Sequence, residues 1–122
     1  MEATNTDPGA VLACVDHMDS EGFLARLHPQ VVFRFGNAPA VIGHDALRPV
    51  LDGFFGALGG IAHALDAHWR IGDDLFCHGQ VTYTRTDGST LAVPFANVFR
   101  FEGDLIADYL IFVDNHELFA TD

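Results

Sequence analysis

Three polar side chains stand where alternation along the chain expects apolar ones. Ile61, Leu65, Ala67, Trp69 and Ile71 share one parity, and His63 sits among them. Leu91, Val93, Phe95, Phe99 and Phe101 share another, interrupted by Asn97. Leu75, Cys77, Gly79 and Val81 form a third series that ends in Tyr83. Side chains alternate across a strand, so each polar group points where its apolar neighbours point. Burying such a group is costly unless it finds a partner. Several of them converging on one cavity are the mark of a binding or catalytic pocket. Neutral imidazole both accepts and donates a proton near physiological pH. Asp16, at the edge of an apolar helical stripe, is the carboxylate that could orient His63 and fix its tautomer. Asn97 would hold a substrate oxygen, and Tyr83 would donate a proton or a hydrogen bond. Together they suit proton abstraction beside a carbonyl or hydroxyl, followed by elimination or isomerisation. Taken singly, each residue has a plainer reading. His63 could be a satisfied core histidine, Asp16 a solvated helix-edge carboxylate, Tyr83 a rim hydroxyl and Asn97 a bridge between backbone groups.

Other chemistries are poorly provided for. The chain has no lysine, which removes Schiff-base chemistry and a phosphate-loop lysine. Its serines, Ser20 and Ser89, read as a helix cap and a turn residue. Cys14 and Cys77 are distant in sequence and read as buried thiols. The seven histidines include no closely spaced pair of the kind a dedicated zinc site uses, so neither a metal nor a cofactor is expected. Six basic residues against 17 acidic ones give a formal charge of −11, which disfavours nucleic acid and anionic membranes. No apolar run reaches membrane-spanning length. The acidic, polar start of the chain resembles neither a signal nor a transit peptide, so the cytoplasm is the expected location.

The elements that must position these groups follow from periodicity. At 122 residues and 49% hydrophobic content, one domain over 8–122 is expected, after a loose tail over 1–7. Val11, Leu12, Val15 and Met18 predict a helix over 8–18. Asp19-Ser20 caps a second helix through Leu27, which His28-Pro29 ends. Val31 to Phe35 and Val41-Ile42 read as short strands. A third helix spans 45–58 and is closed by Gly59-Gly60. Four long strands follow, over 61–71, 75–86, 90–101 and 105–114, separated by hairpin turns. Helices followed by an antiparallel meander give an α+β fold. The last strand is apolar on both faces, so helices must cover one side and a second copy of the chain the other; a homodimer is expected.

This order resembles the cone-shaped nuclear transport factor 2-like fold, particularly its SnoaL-like members. The resemblance rests on Phe33-Arg34-Phe35-Gly36-Asn37-Ala38-Pro39 with Gly43, on Val81 to Gly88, and on Val98-Phe99-Arg100-Phe101 with Asp114. It implies helices packed on a curved, mostly antiparallel sheet around an apolar pocket, and it fixes no reaction, because the fold hosts many. The catalytic positions of ketosteroid isomerase fall on Val11, Phe35 and Asn97, without the base aspartate. The last-strand aspartate of polyketide cyclases and limonene epoxide hydrolases falls on Ile111. Scytalone dehydratase is more similar: its aspartate, two histidines and asparagine fall on Asp16, His63, Tyr83 and Asn97, with tyrosine for the second histidine. Its two pocket tyrosines fall on Val15 and Phe35. The pocket walls are expected to include Phe33, Phe35, Phe54, Phe55, Trp69, Phe95 and Phe99. The expectation is a cofactor-free lyase or isomerase acting on a small hydrophobic hydroxy or keto compound, with a non-catalytic ligand-binding domain as the alternative.

Overall fold

The computed structural model describes residues 8–119; the expected N-terminal tail over 1–7 lies outside the described residues. Helices α1 (Gly9–Asp16), α2 (Ser20–Leu24) and α3 (His44–Gly56) pack on one face of a six-stranded sheet. Its strands are β1 (Leu27–Phe35), β2 (Val41–Ile42), β3 (Leu58–Ile71), β4 (Asp74–Arg85), β5 (Thr90–Glu102) and β6 (Leu105–Val113). Their spatial order is β2-β1-β6-β5-β4-β3. All pairings are antiparallel except β1 with β6. The fold is therefore the expected α+β cone, with the core between helices and sheet built on Phe23, Leu24, Leu47, Phe99 and Tyr109.

Several boundaries differ from the sequence reading, each for a local reason. Helix α1 stops at Asp16 because Met18 adopts a left-handed backbone, φ 54°, and the Asp19 amide turns back to the Cys14 carbonyl. Helix α2 is capped as expected, Asp19 accepting from the Gly22 amide at 3.0 Å, but it ends at Leu24. The chain then enters β1 directly, since Leu27 already pairs with Ile106 of β6. Pro29 is accommodated inside β1, where the register with β6 shifts between Leu27 and Val32. Gly59 and Gly60 belong to β3 and pair alongside Thr84 and Arg85; they do not close α3.

The most consequential irregularity lies in β3. Leu65 pairs with Gly79, yet Ala67 pairs with His78, so Asp66 is an extra residue. Such a bulge reverses which parity faces the helices. Before it, Ile61, His63 and Leu65 face inward. Beyond it, His68 and Arg70 pair with the inward Cys77 and Leu75, while Trp69 and Ile71 turn outward, 53% and 68% exposed. Gly79 makes the bulge possible. A Cβ there would collide with the Ala64 carbonyl oxygen and lie 2.9 Å from Leu65 Cα, both backbone atoms that cannot swing aside. Gly79→Ala should therefore destabilise the fold by about 1–3 kcal/mol, measured as a lower urea midpoint. An unchanged midpoint would show that the bulge tolerates a methyl group.

Candidate functional site

The site begins with a carboxylate in an unfavourable place. Asp16 is the last residue of α1, where the helix dipole disfavours negative charge. Its two oxygens are both engaged by one residue of the sheet. Oδ1 lies 2.5 Å from His63 Nδ1, and Oδ2 accepts the His63 backbone N–H at 3.0 Å. An ionised carboxylate only accepts hydrogen bonds, so Nδ1 carries the proton it shares with Asp16. Nε2 is then left as the free acceptor of the neutral ring. The ring packs edge-on to Phe95, centroids 5.0 Å apart, which holds its plane.

His63 lines a cavity of about 50 Å³ between α3 and the inner face of the sheet. A single water needs roughly 10–15 Å³ by the same measure, so the space suits a few waters or one compact molecule. Phe33, Phe35, Phe54, Phe55, Phe95, Val15, Ile61 and Ile111 form its apolar wall. Phe54 meets Phe35 at 5.1 Å and Tyr83 at 6.1 Å, both edge to face. Phe119, on the segment after β6, reaches Phe54 at 6.3 Å.

Five of the seven aromatic residues expected in the wall are there, and two are not. Trp69 lies on the outer face of the sheet, stacked on His78, because the bulge at Asp66 changed its side. Phe99 has the expected inward orientation but is sealed in the core, its ring 4.5 Å from that of Tyr109, which stands between it and the cavity.

The remaining polar residues divide. Asn97 lines the cavity and is buried, and its Oδ1 has no partner among the described residues. Tyr83 also lines the cavity, with the Asn115 side chain placed to donate to its phenolic oxygen. Burial pushes Tyr83 up to about 12, against that hydrogen bond. Burial likewise pushes the Cys77 thiol up to about 11, against the hydrogen bonds from Asn97, so it is no thiolate nucleophile at neutral pH. Asp114 is exposed and bonded to His116 at 2.7 Å, a structural pairing at the end of β6.

Tyr109 was not among the residues singled out in the sequence. It is buried, lines the cavity beside His63 and Asn97, and its hydroxyl makes no hydrogen bond to the described residues. Its one sequence signal is that it carries the only hydroxyl among Ile106, Tyr109, Ile111 and Val113, the inward residues of β6 on either side of a register shift. Burial, reinforced by the nearby Cys77, Asp16 and Cys14, drives its ionisation far above the ordinary tyrosine range. No group of three or more metal-ligating side chains occurs among the described residues. No helix among them is long and apolar enough to cross a membrane.

Comparison with known proteins identifies the family. The profile of the SnoaL-like domain matches residues 9–109, and the chain belongs to that family. A nuclear transport factor 2-like protein from Burkholderia pseudomallei superposes with a TM-score of 0.81 at 20% identity, covering 90% of this chain and 89% of its own. TerC, co-crystallised with polyporic acid, gives 0.77 at 22% identity, with 89% of each chain covered. A protein of ketosteroid isomerase-like fold from Catenulispora acidiphila, in complex with trimethylamine, gives 0.79 at 12% identity, covering 91% and 86%. At these identities the likeness is one of fold. No curated protein sequence matches the chain.

The protein's two tyrosines, Tyr83 and Tyr109, both ionise above the ordinary value of 10.0. The folded state therefore keeps protons that the unfolded chain releases. The stability this confers is complete below the unfolded tyrosine value and is lost as pH rises from there toward about 12. Absorbance at the tyrosinate band should show no step at the ordinary tyrosine pH, and the urea midpoint should fall as pH rises beyond it. A normal tyrosinate step with the fold intact would contradict both burial assignments.

Proposed function

We propose that this chain is a cofactor-free lyase or isomerase that removes a proton beside the carbonyl or hydroxyl of a small hydrophobic compound. The observation that carries the reading is the His63 ring, held by Asp16 through Nδ1 at the edge of an apolar cavity. His63 Nε2 takes the proton, and the electron pair moves into an enol or enolate. In an isomerisation the imidazolium returns the proton to another carbon. In a dehydration it protonates the departing β-hydroxyl, which leaves as water. Asp16 stays ionised and stabilises the transient imidazolium, as an orienting carboxylate does beside a catalytic histidine. Asn97 holds a substrate oxygen. Tyr83 donates a proton or a hydrogen bond to the substrate from the cavity wall.

The set Asp16, His63 and Asn97 resembles that of scytalone dehydratase, with Tyr83 in place of its second histidine, and this resemblance favours dehydration in our reading. The cavity volume favours one ring over a steroid-sized substrate. The net charge of −11 disfavours an anionic substrate. TerC, co-crystallised with polyporic acid, and the Catenulispora acidiphila protein, in complex with trimethylamine, support small organic molecules as ligands of this fold. The alternative, a binding domain without turnover, draws on Val11, Phe35 and Ile111, apolar where other enzymes of the fold carry catalytic groups.

The test follows α-proton exchange of small hydroxy ketones in D₂O by NMR, beginning with 3-hydroxyacetophenone. His63→Ala should lower the rate by about 10²–10⁴-fold with an unchanged circular dichroism spectrum, and Asp16→Asn should act in the same direction. Exchange that persists at full rate in His63→Ala would sink the mechanism. Binding without exchange by the native protein would establish the binding domain instead.

We further propose that the chain works as a homodimer through the outer face of its sheet. Trp69, Phe76, Val98 and Leu110 are neighbours in one cross-strand row that ends at Arg34 of β1. Phe112, 56% exposed, stands on the same face of β6. An apolar row of this kind across a sheet is a contact surface in search of a mate. Light scattering should give twice the chain mass for the native protein and the single mass for Val98→Glu. A native monomer at micromolar concentration would refute the assignment.

A further inference from the structure

The cavity holds two hydrogen-bonding groups that the protein itself does not use, and they are of opposite kind. The Tyr109 hydroxyl has no hydrogen-bond partner among the described residues. Because the phenol stays neutral, it is available as a donor. The Asn97 amide oxygen Oδ1, buried and without a partner among the described residues, is an acceptor. Leaving a buried acceptor unpaired is costly, and such an atom calls for an explanation. The two residues are close by register. Phe99 pairs with Tyr109, and Asn97 lies two residues from Phe99 on the same face of β5. Such diagonal neighbours are about 7–8 Å apart at the backbone. Both residues also line the same cavity as His63. One compact ligand can therefore span them while presenting a carbon to His63.

We propose that Tyr109 and Asn97 form a two-point recognition floor, the first donating to a carbonyl oxygen and the second accepting from a hydroxyl, so that the site selects small neutral ring compounds bearing both groups. The proposal rests on the cavity being the ligand site of the function proposed above. It does not rest on His63 being a base. It also explains how a cavity this apolar fixes the orientation of its ligand. Apolar walls supply affinity without direction, and a few placed polar groups supply the orientation. The pairing discriminates strongly, because a ligand lacking either oxygen leaves a buried group of the protein unpaired.

Three ligands differing by one oxygen test it: 3-hydroxyacetophenone, acetophenone and 3-ethylphenol, titrated by calorimetry. The native protein should bind the first about tenfold more tightly than either of the others. Tyr109→Phe should remove the advantage over 3-ethylphenol and leave most of that over acetophenone. Asn97→Leu should do the reverse. Thermal melting with and without ligand shows that each variant is folded, and the ranking on the native protein needs no variant. His63→Ala should keep the native ranking. If acid–base turnover fails while the ranking holds, the recognition floor stands and the mechanism falls. Equal affinity for the three compounds, or no binding of any at millimolar concentration, overturns the proposal.

Discussion

The contact between Asp16 and His63 ties the helical layer to the sheet. Asp16 ends a helix of eight residues, at the pole where negative charge is disfavoured. It recovers that cost through two bonds to one residue, Oδ1 to the ring and Oδ2 to the backbone N–H. The backbone bond matters as much as the ring bond. It fixes where α1 crosses β3 as well as how the imidazole is turned. Both partners remain partly hydrated, 12% and 27% exposed at their side chains. The pair therefore avoids the full desolvation penalty of a buried ion pair, which often exceeds its Coulombic gain.

The sheet meets a second constraint at Asp66. One extra residue in β3 gives the strand an inward phase over Ile61, His63 and Leu65 and an outward phase at Trp69 and Ile71. The first part furnishes the site, and the second furnishes an apolar outer surface. Simple alternation places all of these residues on one side, which is why Trp69 reads from sequence as a pocket wall. The bulge itself is a property of two strands, and only Gly79 on the partner strand hints at it. A glycine inside a strand marks a bulge or a close backbone approach, and here it marks both.

The elements of the fold were legible because each carries its own period and its own punctuation. Asp19 caps α2, and Gly72 and Gly103 turn the hairpins with φ of 59° and 62°. Of the site, His63 and Asn97 were legible as polar residues in apolar series. Asp16 was legible only as a helix-edge carboxylate with a suitable partner far along the chain. Tyr109 escaped because β6 is apolar on both faces, and a tyrosine in such a run counts as hydrophobic. The engagement of Tyr83 escaped because Asn115 lies on a segment beyond the last strand, with no periodicity linking them. Phe99 was assigned the correct face, but alternation gives direction and not depth; its ring packs edge-on to Tyr109 inside the core.

The apolar substitutions limit the chemistry as much as the polar residues define it. Ile111 and Phe35, onto which the resemblance to cyclases, epoxide hydrolases and ketosteroid isomerase would place catalytic carboxylates, both line the cavity as apolar residues. A second unpaired carboxylate in so apolar a space would be costly to ionise. Without one, the cavity presents His63 as its base, and its other titratable groups, Tyr83 and Tyr109, are held neutral by burial. One base and several neutral hydrogen-bonding groups cannot deliver a carboxylate nucleophile or open an epoxide by paired carboxylates. They can move one proton off carbon and hold the oxygen on which charge develops. The proposed enolisation requires that much of the protein, leaving the ligand's hydroxyl as the only group that could depart.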